Sequence, residues 1–286
     1  MAALQLTDAP SRTRTRIPSS LAVGGAILVL VVLAALFGPM VAPFPYDQMD
    51  IMARMQPPNA THWLGTDEFG RDVLSRLLYG ARLSLLMGIG ATFVSIVFGV
   101  PLGLAAGYKG GRVDESIMRA IDLVISVPPI LMGLLLLSLT TPNVWKTAAA
   151  VGIIYVPIMA RLTRAVTLEI AREEFVLAAR ARGERLWYIL AAEILPNAWP
   201  PIIVEAALRV TFAIMLGAAL SFLGLGVQPP SSDWGLMIAE ARPFIDTAPW
   251  VAIAPGIVLC ITVIAVNLVG DGLREMLDPR LKRGRG

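Results

Sequence analysis

Few side chains of this chain could do chemistry, and they fall in two places. Asp67, Glu68 and Asp72 stand close to His62, the one histidine. Carboxylates beside an imidazole are the groups that metal-assisted hydrolysis uses. Their spacing matches no metal-ligand pattern, and Arg71 and Arg76 lie among them. They read as a solvated loop with ion pairs. Glu205 and Arg209 are four residues apart, so on a helix they share one face. They sit in an apolar stretch, where a lone charge costs roughly 2.5–3.5 kcal/mol on insertion scales. Either the pair pins one helix to its neighbours, or it serves a proton or substrate path. The single cysteine, Cys260, excludes an internal disulfide framework and a zinc site built on thiolates. The phosphate-binding pattern Gly-x-x-x-x-Gly-Lys-Ser/Thr is absent, and Lys109, Lys146 and Lys282 lie in connecting segments or the tail. No catalytic, metal or cofactor-binding constellation emerges. If ATP drives this protein, another chain binds it.

The elements that must hold these residues are membrane helices. Of 286 residues, 56% are hydrophobic and 16% charged, against about 25% charged in soluble domains. Crossing about 30 Å of hydrocarbon takes roughly 20 apolar residues as a helix. Uncharged runs at 21–42, 83–107, 123–145, 210–232 and 247–270 qualify, the fifth helix beginning near Trp199. A shorter run at 147–160, extended to about Leu168, gives the sixth span. Alternating strand patterns are absent. The first run is too long for a signal peptide and reads as a retained anchor.

Basic residues set the expected orientation. With the N-terminus in the cytoplasm, inside segments hold seventeen Lys and Arg and outside segments six, Arg209 falling in a span. The inside set includes Arg12, Arg14, Arg16, Arg280, Lys282, Arg283 and Arg285 in the tails. That excess follows the positive-inside rule and argues against nucleic-acid binding. Outside, Val73, Leu74, Leu77 and Leu78 oppose Arg71, Asp72, Ser75 and Arg76, which predicts a short amphipathic helix on the membrane surface. Pro128-Pro129 and Pro255 fall inside the third and sixth spans, as tolerated kinks or as path-lining breaks. Gly88, Gly90, Gly99, Gly103 and Gly107 mark the second span for close packing. Asp122 lies near enough to the inner boundary to reach water.

The most informative stretch is 174–201, EFVLAARARGERLWYILAAEILPNAWPP. It is charged and Ala-rich in a chain that is otherwise mostly membrane. A helix, a break at Gly183 and a second helix stopped by Pro196 predict a compact cytoplasmic knob between two spans. Such a knob suits docking to another protein.

HWLGTDEFGRDVLSRLLYGARLSL (His62 to Leu85) resembles the hallmark of the C-type inner-membrane permease of peptide/nickel ABC importers. GYKGGRVDE from Gly107, LSFLGLGVQPPSSDWG from Leu220 and NLVGDGLREMLDPR from Asn267 resemble its later blocks, so the likeness runs over roughly residues 20 to 281. Ala178, Ala179, Gly183, Leu195 and Pro196 resemble the family's ATPase-coupling motif. Leu177 stands where that motif has Glu, and Glu193 where it has Ile. Glu174, one turn earlier, supplies an acidic group on nearly the same face.

The resemblance implies an all-α integral membrane protein of six transmembrane helices, the type I importer permease fold, with both termini cytoplasmic. The expected division is a tail (1–19), a first helix with its periplasmic segment (20–82), a five-helix transmembrane domain (83–272) and a C-terminal tail (273–286). The coupling loop spans about 169–198. Implied partners are a second permease, two ATPases that bind ATP and Mg, a periplasmic binding protein and the bilayer of a bacterial inner membrane. Peptides are the expected substrate, with nickel chelates, glutathione-like thiols, opines and oligosaccharides carried by relatives. The alternative from another class is an ion-coupled secondary transporter using Glu205 and Arg209. A membrane-embedded enzyme finds no support in these residues.

Overall fold

Backbone in hydrocarbon must satisfy its own hydrogen bonds, so apolar runs of this length fold as helices. A computed structural model describes residues 18–277. The tail residues Arg12, Arg14, Arg16, Arg280, Lys282, Arg283 and Arg285 lie outside them. The elements are α1 (Ser19–Val41), α2 (Val73–Lys109), α3 (Gly111–Ile125), α4 (Pro129–Ser138), α5 (Val144–Ile170), α6 (Glu174–Ala181), α7 (Leu186–Tyr188), α8 (Leu195–Phe222), α9 (Trp234–Ala241) and α10 (Trp250–Leu277). Among the described residues there is no strand, only one antiparallel bridge between Thr66 and Asp72.

Five helices are long and apolar enough to cross a membrane: α1, α2, α5, the continuous stretch Leu186–Phe222, and α10. The expected third span, 123–145, is not one helix. α3 and α4 meet at 87°. Pro128 and Pro129 cause the break, since the residue before a proline is driven out of the helical region. Pro129 then opens α4, where its missing N–H costs nothing. At 10 residues, α4 is about 15 Å long and cannot span alone. α3 is strapped to α5 by two ion pairs. Arg164 grips both oxygens of Asp114, and an Arg161 nitrogen lies 2.6 Å from Asp122 Oδ1. Asp122 is exposed, as its position near a boundary predicts.

α2 is the central shaft. Gly99, Gly103 and Gly107 recur every four residues along the side that meets α5. A Cβ on Gly103 would lie 2.5 Å from the Ala160 carbonyl oxygen, and one on Gly107 2.7 Å from the Thr167 Cβ. The two backbones approach to a distance that only glycine permits. Gly88 does the same for α8, its Cβ position falling 2.4 Å from Ile214 Cγ1. The expected close-packing role is seen at Gly88, Gly99, Gly103 and Gly107, whereas at Gly90 the nearest atom, Ala148 Cβ, stands at an ordinary 3.4 Å.

The fifth span starts before the expected Trp199 and ends at Phe222, short of the expected 232. Its helix is not stopped by Pro196. It runs from Leu186 through a π-helical turn at Ile189–Ile194 and on to Phe222. In that turn the Leu195 N–H reaches back five residues to the Leu190 carbonyl. The wider turn forms just where Pro196 supplies no N–H, and such turns insert single extra residues into helices. Pro200 and Pro201 are carried within α8, and Pro255 within α10.

α1 and α10 run antiparallel: Gly24 faces Leu268, and Gly272 faces Leu21. The described ends of α1 and α10 therefore share one end of the bundle with α6, hereafter the knob end.

Candidate functional site

The knob is built on a few buried side chains. Val176 and Ala179 of α6 are wholly buried and join Ile189, Ile194 and Ala198 in one cluster reaching Met159 of α5. α6 stops by a Schellman turn. The Gly183 N–H donates to the Arg180 carbonyl at 2.9 Å, and the Glu184 N–H to the Ala179 carbonyl at 3.2 Å. Gly183 has φ +75°, and nothing lies within 4 Å of its Cβ position. The glycine is needed for backbone handedness, not for space. Arg180 Nε donates to the Tyr108 hydroxyl at 3.0 Å, with the guanidinium 4.4 Å from the ring centre. The knob is thereby tied to the end of α2.

The residues of the expected coupling motif divide by burial. Ala179 is inside and Leu195 is half-buried. Glu174, Ala178, Gly183 and Pro196 are exposed. Phe175, Leu177, Trp187 and Tyr188 add exposed apolar surface to the same knob, Trp187 at 79%. Leu177 thus faces solvent where the motif has Glu. Glu193 turns toward the break instead, its Oε1 3.7 Å from Arg182.

The expected Glu205–Arg209 pair forms within one helix, Oε1 to Nε at 2.8 Å, with side chains only 16% and 12% exposed. The Arg209 guanidinium also lies 4.9 Å from the Phe212 ring centre and 5.4 Å from that of Tyr155 on α5.

At the opposite end the acidic cluster is not a solvated loop, and the segment after it is not a surface helix. Val73, Ser75, Arg76 and Leu77 form the buried first turns of α2. Asp67 is fully buried. It accepts from Arg71 Nε and Arg76 Nη1, each at 2.6 Å, and from the N–H groups of Phe69 and Arg71. Glu240 of α9 completes the network, 2.7 Å from Arg76 Nη2 and 3.2 Å from Arg71 Nη2. Burial pushes the Glu68 carboxyl above its usual value despite its backbone hydrogen bond. Asp72 caps α2, accepting from the Ser75 N–H and hydroxyl, and its second oxygen lies 3.0 Å from His62 Nδ1. The amphipathic pattern misled because the polar face meets partner charges, not water. The missing partner, Glu240, is more than 160 residues away. Its only signal is a carboxylate inside the apolar stretch WGLMIAEA.

α9 is seated by its own first residues. Trp234 is fully buried, its indole N–H donating to the Leu77 carbonyl at 3.2 Å. Asp233 caps α9 and accepts from the Ser221 hydroxyl at 2.7 Å. The segment before α2, the loop after α8 and α9 itself are thus locked together. No group of three or more potential metal ligands is present among the described residues.

The knob carries an exposed apolar face and is mounted between two membrane helices. Residues 99–283 match the family described as the binding-protein-dependent transport system inner membrane component. The chain belongs to this family. Residues 21–58 match the N-terminal transmembrane domain of oligopeptide transport permease C. The permease is 42% identical over 260 residues to the dipeptide transport system permease protein of Alkalihalophilus pseudofirmus, covering 91% of this chain and 86% of that one. It is 41% identical to the di/tripeptide transport system permease protein of Pseudomonas aeruginosa, covering 91% and 88%. It is 40% identical to the glutathione transport system permease protein of Pectobacterium atrosepticum, covering 91% and 87%. Among solved structures, the MetNI methionine ABC transporter in an inward-facing conformation shares the fold at TM-score 0.60 and 19% identity, over 71% of this chain and 96% of that one. The permease is a multi-pass inner-membrane transport component of the ABC importer kind, as its sequence resemblance implies.

Proposed function

We propose that the permease carries peptides, as one of two unlike permeases that together form the path. The names of its relatives support this, since dipeptide and di/tripeptide systems recur among them. Two ATPases would bind ATP and Mg at the knob end, which faces the cytoplasm with both termini. A periplasmic binding protein would deliver substrate at the other end. The chain itself has no ATPase site. Its functional division remains a first-helix segment to residue 82, a transmembrane domain over 83–272 and two tails.

The observation that carries the coupling role is the construction of α6. Val176 and Ala179 root it in the bundle, while Glu174, Ala178 and the apolar face remain free for a partner. ATP-driven closure of the ATPases would move this rigid knob and tilt α5 and α8 with it, a two-state change. The test is a cysteine at Ala178 in a Cys260→Ser background, cross-linked in native membranes. A cross-link to a Walker-motif ATPase that changes with ATP supports the reading. Recovery of the chain alone, with ATP-independent uptake abolished by collapsing the proton gradient, would replace it with the ion-coupled alternative.

A further inference from the structure

A cleft of about 510 Å³ opens between α5, α8 and α10 at the knob end, and the coupling scheme gives it no task. Leu162, Val204, Leu208 and Leu277 make most of its wall apolar. Two charges also face it, Glu205 and Arg274. Helix register brings them to one level. α8 and α10 are antiparallel, with the Thr211 hydroxyl donating to Asn267 Oδ1 at 3.0 Å. A Cβ on Gly270 would lie 3.4 Å from that of Ala207. Counting on from these contacts sets Arg274 opposite Val204 and Glu205, within about one residue rise of 1.5 Å.

Neither charge is used up. Glu205 gives Oε1 to Arg209, and an ionised carboxylate offers about four acceptor positions. Arg274 is exposed and pairs with no described residue. An anion alone in the cleft would face Glu205. A purely apolar occupant would strip water from the open acceptor positions of Glu205, which is costly. Only a ligand with both signs of charge on an apolar body satisfies every wall.

We infer that this cleft binds a zwitterionic amphiphile, its ammonium on Glu205, its anionic group on Arg274 and its apolar body against the leucines. Two sources share that chemistry. One is a short peptide with free termini. The other is a phospholipid with an ethanolamine headgroup, whose acyl chains would continue along the apolar wall. The inference stands apart from the coupling role, since a chain that met no ATPase would still present this cleft.

The test uses the purified full chain with two pairs of probes. Phosphatidylethanolamine is compared with phosphatidylcholine of the same acyl chains by native mass spectrometry. The trimethylated headgroup keeps its charge but has no N–H for Glu205. Dileucine is compared with N-acetyl-dileucine by calorimetry. Each charge-assisted bond lost should weaken binding about tenfold or more. One probe with free N–H groups should therefore bind about tenfold better than its blocked counterpart. That preference should persist in Arg274→Gln while affinity falls about tenfold, and Arg274→Lys should restore most of it. Arg274 is exposed near a helix end, so its variants should unfold at the same temperature as the parent. Dependence seen with the lipid names the lipid as ligand, and dependence seen with dileucine names the peptide. Binding of neither free-amine probe, or equal affinity in Arg274→Gln, would overturn the inference.

Discussion

Asp67→Asn tests whether the buried charge network holds together the end of the permease opposite the knob. The substitution preserves shape and removes one charge. Arg71 and Arg76, each 1% exposed, would lose their shared 2.6 Å partner and keep only Glu240, with Glu68 3.5 Å from Arg71. Breaking a buried pair by removing one partner costs about 3–5 kcal/mol, because the remaining charge has no water to replace it. For chains of this size each kcal/mol moves the unfolding midpoint by about 2–4 °C. The expected drop is on the order of 10 °C, read by fluorescence-monitored unfolding of the purified chain at one fixed scan rate. Adding Arg76→Gln should recover part of the loss, since it removes the stranded charge. A drop below about 2 °C would match an exposed pair worth at most about 1 kcal/mol and would refute the buried network.

Four further outcomes follow from the same structure. Gly103→Leu places a Cβ 2.5 Å from the Ala160 carbonyl, where backbone cannot yield. It should cost at least the 1–3 kcal/mol typical of overpacking and lower the folded yield measured by size-exclusion chromatography. Gly183→Leu meets open space and strains only the backbone at φ +75°, about 1–2 kcal/mol. Membrane insertion should survive while ATP-dependent dipeptide uptake is lost, and normal uptake would remove the coupling role from this turn. Reversing Glu205 or Arg209 singly should impair transport, and restoration on exchanging both would make the pair structural. Burial holds the Asp233 carboxyl above its ordinary 3.8. The folded state therefore keeps a proton that the unfolded chain has lost, and stability falls as pH rises from about 3.8 through the raised value. Asp233→Asn retains an acceptor for the Leu236 N–H and should flatten that fall in the pH profile of the unfolding midpoint.

Run length and charge were enough to read most of the spans, because hydrocarbon thickness acts on one helix at a time. The glycines of α2 were legible for a related reason. A four-residue repeat of the smallest side chain has one main use on a membrane helix, and α5 is the surface it meets. The third run counts as a sixth span only if α3 and α4 are taken together as one bent pair, because counting apolar residues ignores direction. Residues 123–145 are apolar throughout, yet Pro128 and Pro129 turn the chain by 87°. The run through Pro196 failed the other way, since a π-helical turn absorbs a proline that local rules treat as a stop. At the end opposite the knob, Arg71 and Arg76 carry the pattern of a wet face. Burial of that face depends on Glu240, a residue that no local window contains. Knob and break were legible from spacing alone. Which of the knob's residues point inward, Val176 and Ala179, depends on α8 behind them.

The closure of α1 on α10 has a consequence for how the chain is made. α1 precedes α10 in the chain, and its Gly24 is shaped to meet Leu268, while Leu21 fits against Gly272. Those partners are synthesised later. Until α10 is inserted, the first helix has a notch with nothing in it, and the bundle stays open along that side. Closure of that side thus waits for α10. A chain cut short before α10 leaves Gly24 and Leu21 without the helix whose contours they match.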